Sequence, residues 1–290
     1  MGEARFQKPT TVEEAVALLV AAGEGGRPIS GGATLVAMMN ARLVEPESLV
    51  SLRAIEELRD LKVNADGSVR IGAMRRHRET AFESDLSGGH RVLSAAASQI
   101  ANPPVRNMGT LGGSISFADP AADYPPALVA ANAEVEIAGP DGRRLVPAEA
   151  FFLGWYETAL EDGDIVTAVI LPPQPDGAVG HYEKLCRVAG DFALASVAIV
   201  LARGGDGALT HLRLAVGGCG GGPVRSEAAE AMLIGSVPTA ERIAAFAERL
   251  VEELDPVDDV RGSAEYRMQV APRLIAKAFD EILSDVEQVK

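Results

Sequence analysis

Cysteine is nearly missing from this 290-residue chain: Cys186 and Cys219 are the only two, and they form no C-x-x-C pair. An iron–sulfur cluster takes about four thiolate ligands, so the chain holds none unaided. Aromatic residues are scarce, at 4%, which argues against base-stacking platforms and aromatic cages. Positive charge is in deficit, with 27 Lys and Arg against 41 Asp and Glu and a net charge of −14. A nucleic-acid binder carries a basic stripe, and none is visible. The longest basic cluster, "RRHR" at 75–78, reads as a solvated face or a helix-end feature. No apolar run approaches the roughly 18 residues that span a bilayer. "EAVALLVAA" (14–22) is too short and is closed by Gly23. "MGEARFQKPT" lacks a charged region followed by an apolar one, so no signal peptide is expected. With so little cysteine, a reducing, cytoplasmic setting is expected.

Several catalytic signatures are also absent. "GGCGGGP" (217–223) has the glycines of a dinucleotide fingerprint, but Pro223 fills its last position. No P-loop and no G-x-S-x-G elbow occurs. The histidines His77, His90, His181 and His211 show no metal spacing. The acidic pairs Asp60/Asp66, Asp119/Asp123 and Asp258/Asp259 read as turn and cap residues. Neither a catalytic acid–base pair nor a metal site is expected.

What is present is a good core composition, 47% hydrophobic, and a mixed pattern. "TTVEEAVALLVAA" predicts a helix capped by Thr10 or Thr11, with Val12, Ala15, Val16 and Leu19 on one face. "RPISGGATLVAMMN" reads as strand, glycines, helix, and "LVSLRAI" as a strand leading into a helical turn at "EELRDL". "LKVNADGSVRIGAM" alternates around Asp66-Gly67, a hairpin signal. "HRVLSAAASQI" predicts a helix, and "ALVAANAEVEIAGPDGRRLVPAEAFF" a helix end, a strand, an Asp141-Gly142 turn and a return strand. A strand at 164–173 ends in prolines, and "PPQPDGAVG" (172–180) is the best linker. Beyond it come a strand, a stretch that is helix or strand, a hairpin around 204–207, and mainly helix over 226–290. The expectation is an α+β region over 1–175, with subdomains about 1–55 and 56–175, and a smaller domain over 176–290.

Two segments share a chemistry, "ISGGAT" (29–34) and "GTLGGS" (109–114). Glycine lets backbone approach a ligand and visit positive φ. Consecutive N–H groups then form an anion nest that needs no lysine. Ser30, Thr34, Thr110 and Ser114 add hydroxyl donors. By itself a Gly-Gly pair is usually a turn, and two such segments favour a phosphate cradle only modestly more.

The segments "RPISGGATLVAMMN", "NPPVRNMGTLGGSISFADPAADYPPAL", "YEKLCRVAGDFALASVA", "GGPVRSEAAEAML" and "RGSAEYRMQVAPRLIAKAF" occur in this order. Together they resemble the FAD-binding medium subunit of molybdenum hydroxylases of the carbon monoxide, xanthine and nicotine dehydrogenase type. The resemblance implies the FAD-binding fold of the vanillyl-alcohol oxidase and p-cresol methylhydroxylase type. That fold has two α+β subdomains, here followed by a C-terminal domain of a small antiparallel sheet and helices. It implies a first pyrophosphate loop of Arg27, Pro28, Ile29, Ser30, Gly31, Gly32, Ala33 and Thr34, and a second of Thr110, Leu111, Gly112, Gly113 and Ser114. It also implies cofactor contacts at Ile100, Asp123, Val166, Lys184 and Phe192. Relatives often have "GGHSL" where this chain has "GGATL", so Ala33 lacks an imidazole and Thr34 keeps the hydroxyl.

The same resemblance implies an oxidoreductase whose FAD lies on this chain. The molybdenum cofactor would lie on a large partner subunit and two [2Fe–2S] clusters on a small one, in a dimer of heterotrimers. Electrons would run from the clusters through FAD to an external acceptor. A stand-alone flavin oxidoreductase of the same fold and a binding protein with a vacant cofactor site remain alternatives. Neither the holoenzyme's substrate nor the acceptor is legible in these residues.

Overall fold

The computed structural model describes residues 4–288. The chain opens with β1 (Arg5–Gln7) and α1 (Val12–Ala22). Thr11 caps α1 by accepting the Glu14 N–H at 3.1 Å, and the Glu14 carboxylate accepts the Thr10 N–H at 2.9 Å. Gly23, at φ 54°, ends the helix, a conformation that costs glycine little. β2 (Gly26–Ile29), α2 (Leu35–Asn40) and β3 (Ser48–Ser51) follow. The three strands are parallel in the order β1-β3-β2, so β3 is central and all four of its residues are buried. Parallel neighbours need crossovers, and α1 covers the sheet with Val12, Ala15, Val16 and Leu19.

The hairpin at Asp66-Gly67 forms as expected, from β4 (Leu61–Val63) and β5 (Val69–Gly72). Five helices follow: α3 (His77–Ala81), α4 (Arg91–Ser98), α5 (Pro103–Arg106), α6 (Leu111–Phe117) and α7 (Tyr124–Ala130). Next come β6 (Glu134–Gly139), β7 (Gly142–Pro147), α8 (Ala148–Phe151), the small hairpin β8 (Phe152–Gly154) and β9 (Glu157–Thr158), and β10 (Ile165–Leu171). The antiparallel sheet has the order β4-β5-β10-β6-β7. Its central strand, β10, reads IVTAVIL and is buried almost throughout. α4, α6 and α7 contribute Leu93, Leu111, Ile115 and Leu128 to the core against it.

The last sheet is also antiparallel, in the order β11 (Val179–Leu185), β12 (Ala195–Arg203), β13 (Leu209–Gly217), β14 (Val224–Arg225). The stretch open to helix or strand is therefore β12. It shows no apolar–polar alternation because both faces are covered. Ala198, Val200 and Ala202 face the core shared with α4 and α7. Val197, Ile199 and Leu201 face a second core. That core is closed by α9 (Glu227–Leu233), α10 (Ala240–Val251) and α11 (Ala264–Gln288). Within it Phe246 packs edge-to-face on Phe279, with centroids 5.6 Å apart. Among the described residues no helix is long and apolar enough to cross a membrane.

Phe279 and Phe246 are fully buried. Phe279→Ala is expected to cost roughly 3–5 kcal/mol, the usual range for an aromatic cavity in a core. Urea unfolding of the two chains checks this, and a loss near zero would mean that the helices do not pack as described.

Candidate cofactor site

The two glycine segments come from different parts of the chain and meet directly. Thr110 Oγ1 donates to Ser30 Oγ at 3.1 Å. A Cβ built on Gly31 would lie 2.0 Å from the Met108 carbonyl oxygen, so only glycine fits there. One on Gly113 would lie 2.6 Å from Ser30 Oγ. Of the glycines in the two segments, only Gly32, at φ 75°, uses the left-handed region.

The backbone amides of the two segments are engaged differently. "GTLGGS" is the first turn of α6, with Thr110 as its cap. All of its amides but that of Thr110 are already spent. Leu111 N–H donates to the Arg75 carbonyl at 2.9 Å and Gly112 N–H to the Ala73 carbonyl at 2.8 Å. Gly113 N–H donates to Thr110 Oγ1 at 3.2 Å and Ser114 N–H to the Thr110 carbonyl at 3.0 Å. Gly112 is glycine because a Cβ would come within 2.6 Å of the Ala73 methyl. By contrast, the N–H groups of Gly31, Gly32, Ala33 and Thr34 have no acceptor among the described residues. These four successive donors are unspent.

A cleft of about 310 Å³ opens beside this contact. Ser30, Gly31, Thr110 and Met108 line it, and so do three guanidinium side chains, Arg53, Arg59 and Arg76. Arg53 and Arg59 carry no sequence signal. Arg76 belongs to "RRHR", which the fold splits among three roles. Arg75 pairs with Glu83, Arg76 faces the cleft, and His77 is buried. His77 braces the second segment: its N–H donates to the Gly109 carbonyl at 3.0 Å, and its Nδ1 lies 3.2 Å from the Tyr124 hydroxyl. Burial, with Arg106 adding repulsion, pushes its imidazole down to about 4 from 6.5.

A second group gathers beyond the other end of α6, seven residues or roughly 10 Å from Thr110. Asp123 is 5% exposed, and its Oδ1 accepts both Lys184 Nζ and the Tyr182 hydroxyl, each at 2.8 Å. Lys184 Nζ also donates to the Gln99 carbonyl at 2.8 Å. The Asp123 backbone N–H also interacts with this carboxylate. Burial pushes the Asp123 carboxyl up, against the pull of Lys184. Ile100 adjoins this group and is half-buried, its carbonyl accepting Arg106 Nη1 at 2.7 Å. Tyr182, Gln99 and Arg106 escaped the sequence reading, since nothing marks a buried polar partner in a strand or helix end.

The remaining expected residues are scattered. Arg27 folds its guanidinium back onto the Glu24 and Gly26 carbonyls, at 2.8 and 2.7 Å. Pro28 is exposed and Ile29 half-buried on β2. Val166 is a core residue of β10 and does not line the cleft. Phe192 is 46% exposed, with the Arg261 guanidinium carbon 5.0 Å from its ring centroid.

Comparison with known proteins gives a consistent result. The family described as the FAD binding domain in molybdopterin dehydrogenase matches residues 2–174, and the CO dehydrogenase flavoprotein C-terminal domain matches residues 180–282. The chain is similar to the carbon monoxide dehydrogenase medium chain of Hydrogenophaga pseudoflava, at 34% identity over 95% of each chain. It is also similar to the nicotine 6-hydroxylase medium subunit of Paenarthrobacter nicotinovorans, at 35% identity over 96% of each. Among solved structures, it superposes on the Hydrogenophaga pseudoflava carbon monoxide dehydrogenase lacking the Mo-pyranopterin moiety of its molybdenum cofactor. There the TM-score is 0.91 and the identity 36%, over 96% of both chains.

The buried His77 makes stability depend on pH. Between 6.5 and about 4 the unfolded chain takes up a proton that the folded imidazole refuses. Stability therefore falls as pH drops through that window, by at most about 3 kcal/mol from this residue. His77→Gln should flatten the slope in urea unfolding from pH 7 to pH 4. Equal slopes in the two chains would rule out this origin.

Proposed function

Because this chain belongs to the family of FAD-binding subunits of molybdopterin dehydrogenases, we propose that it is the electron-transfer subunit of a heterotrimeric molybdenum hydroxylase. Its partners would be a large subunit with the molybdenum cofactor and a small subunit with two [2Fe–2S] clusters. Electrons would pass from those clusters to an acceptor outside the complex. The named relatives are medium chains or subunits of almost the same length, which supports a subunit over a stand-alone flavin enzyme. The low cysteine content supports clusters held elsewhere. We also assign the chain to the cytoplasm, the assembly to a dimer of heterotrimers, and the domains to 1–175, itself divided near residue 55, and 176–290.

The residues fit the cofactor. The observation that carries this reading is the run of unspent amides at Gly31, Gly32, Ala33 and Thr34, beside a cleft lined by hydroxyls and guanidinium groups. Amides fixed in this way stabilise a diphosphate without paying to reorganise. Ser30 and Thr110 add hydroxyls, and Arg27, Pro28 and Ile29 form the strand that delivers the loop. Leu111, Gly112, Gly113 and Ser114 support it from behind as the first turn of α6. Asp123 offers Oδ2 to a donor of the cofactor, while Tyr182 and Lys184 hold Oδ1. Ile100 and Phe192 would supply apolar surface toward the ring end, with Val166 contributing from the core of β10. Bound FAD would supply the exchange between one-electron and two-electron carriers; the chain's own part is to bind, orient and shield.

The purified chain should show a flavin absorption spectrum and release free FAD on denaturation. Gly31→Ala forces a methyl against the Met108 carbonyl, a strain of roughly 1–3 kcal/mol. It should weaken FAD affinity by about tenfold or more while the chain still folds. A colourless wild-type chain indifferent to FAD would falsify the reading. Failure to co-purify with molybdenum and iron–sulfur subunits would remove the partner assignment.

A further inference from the structure

The cleft carries more positive charge than backbone recognition of a diphosphate requires. In a chain of net charge −14, Arg53, Arg59 and Arg76 line one opening. All three are exposed. None has a carboxylate partner among the described residues, whereas Arg70, Arg75, Arg143 and Arg144 are each ion-paired. Glu79 also lines the cleft, and its carboxylate accepts the Arg76 backbone N–H at 2.8 Å.

The backbone at each of the three is anchored although the residues are exposed. Arg53 lies in the turn that follows β3, beside buried Leu52. Arg59 follows the turn closed by Leu58, which is fully buried. Arg59 Nη2 donates to the Arg53 carbonyl, tying the two turns together. Arg76 stands opposite Thr110 in an antiparallel bridge. Holding like charges together without counter-charge is unfavourable, and an anion between them relieves it. A guanidinium fork suits a phosphate better than a hydroxyl or an aromatic ring.

We propose that Arg53, Arg59 and Arg76 form a second anion-binding edge that recognises the adenosine-side phosphate of a dinucleotide, and so binds ADP by itself. The inference rests on the FAD reading above. In that reading the ring end lies toward Asp123, past the far end of α6, and no residue of the 118–123 segment lines this cleft. The arginines therefore stand at the half of the cofactor remote from the ring.

The test is calorimetric titration of the full, flavin-stripped chain with FAD and, separately, with ADP. Arg53→Gln, Arg59→Gln and Arg76→Gln should each weaken both ligands by about two- to fivefold, the range for exposed ion pairs. The triple variant should lose on the order of tenfold or more for both. Arg59→Lys should recover part of the loss, and added salt should weaken the wild type more than the triple variant. Arg242→Gln, on the distant α10, should leave both affinities unchanged. If the triple variant binds FAD and ADP like the wild type, or ADP does not bind the wild type while FAD does, the arginine assignment falls and the FAD reading stands. If the wild type binds neither, the FAD reading falls and takes this inference with it.

Discussion

The contact between the Gly31 backbone and the Met108 carbonyl sets the geometry of the whole site. No side chain fits between them, so the end of the parallel sheet and the start of α6 are pressed together. The hydroxyl pair Ser30–Thr110 closes the same seam. This closeness divides the labour. Amides at the start of α6 tie that helix to the chain after β5, and they are rigid because they are spent. The amides of the first loop stay unspent because the loop has already turned away from β3 into α2. Burying a polar group without a partner is costly, so such a run of donors persists only at a surface that water or a ligand can reach.

Charge is placed with equal economy. The chain is acidic overall, and arginines away from the cleft are neutralised by carboxylates, as Arg225 by Glu230 at 2.6 Å and Arg144 by Asp164 at 2.6 Å. At the cleft the arginines are left without such partners. At the other end of α6 the arrangement inverts, with a buried ion pair of Asp123 and Lys184 inside apolar walls. Breaking a buried pair leaves one charge stranded and is strongly destabilising. Here the pair also carries the Tyr182 hydroxyl and the Gln99 carbonyl, so it binds β11 to α7 and to the end of α4.

That link joins the C-terminal sheet to α4 and α7. β12 has one face in each core. The loop after β11 reaches back, with Gly190 close against the Ala101 carbonyl and the Ala193 N–H donating to the Ala121 carbonyl at 3.3 Å. Phe192 rides on this loop and is held by Arg261 from the segment before α11. The surroundings of Asp123 and Lys184 are thus built from parts far apart in the chain.

The sequence by itself determined the local elements. Thr11 and Gly23 bound α1, the Asp66-Gly67 and Asp141-Gly142 turns each make a hairpin, and the glycine blocks together with the order of the other segments pointed to the family. These are signals carried by neighbouring residues, and short-range sterics enforce them. Tertiary structure decided what depends on residues distant in sequence. It made β12 a strand, because two covered faces erase the alternation that would announce one. It took the amides of α6 out of play, brought three arginines to one opening, and buried Lys184 against Asp123. Burial and the availability of a hydrogen-bond donor are properties of the packed chain, and no spacing along it records which groups packing will consume.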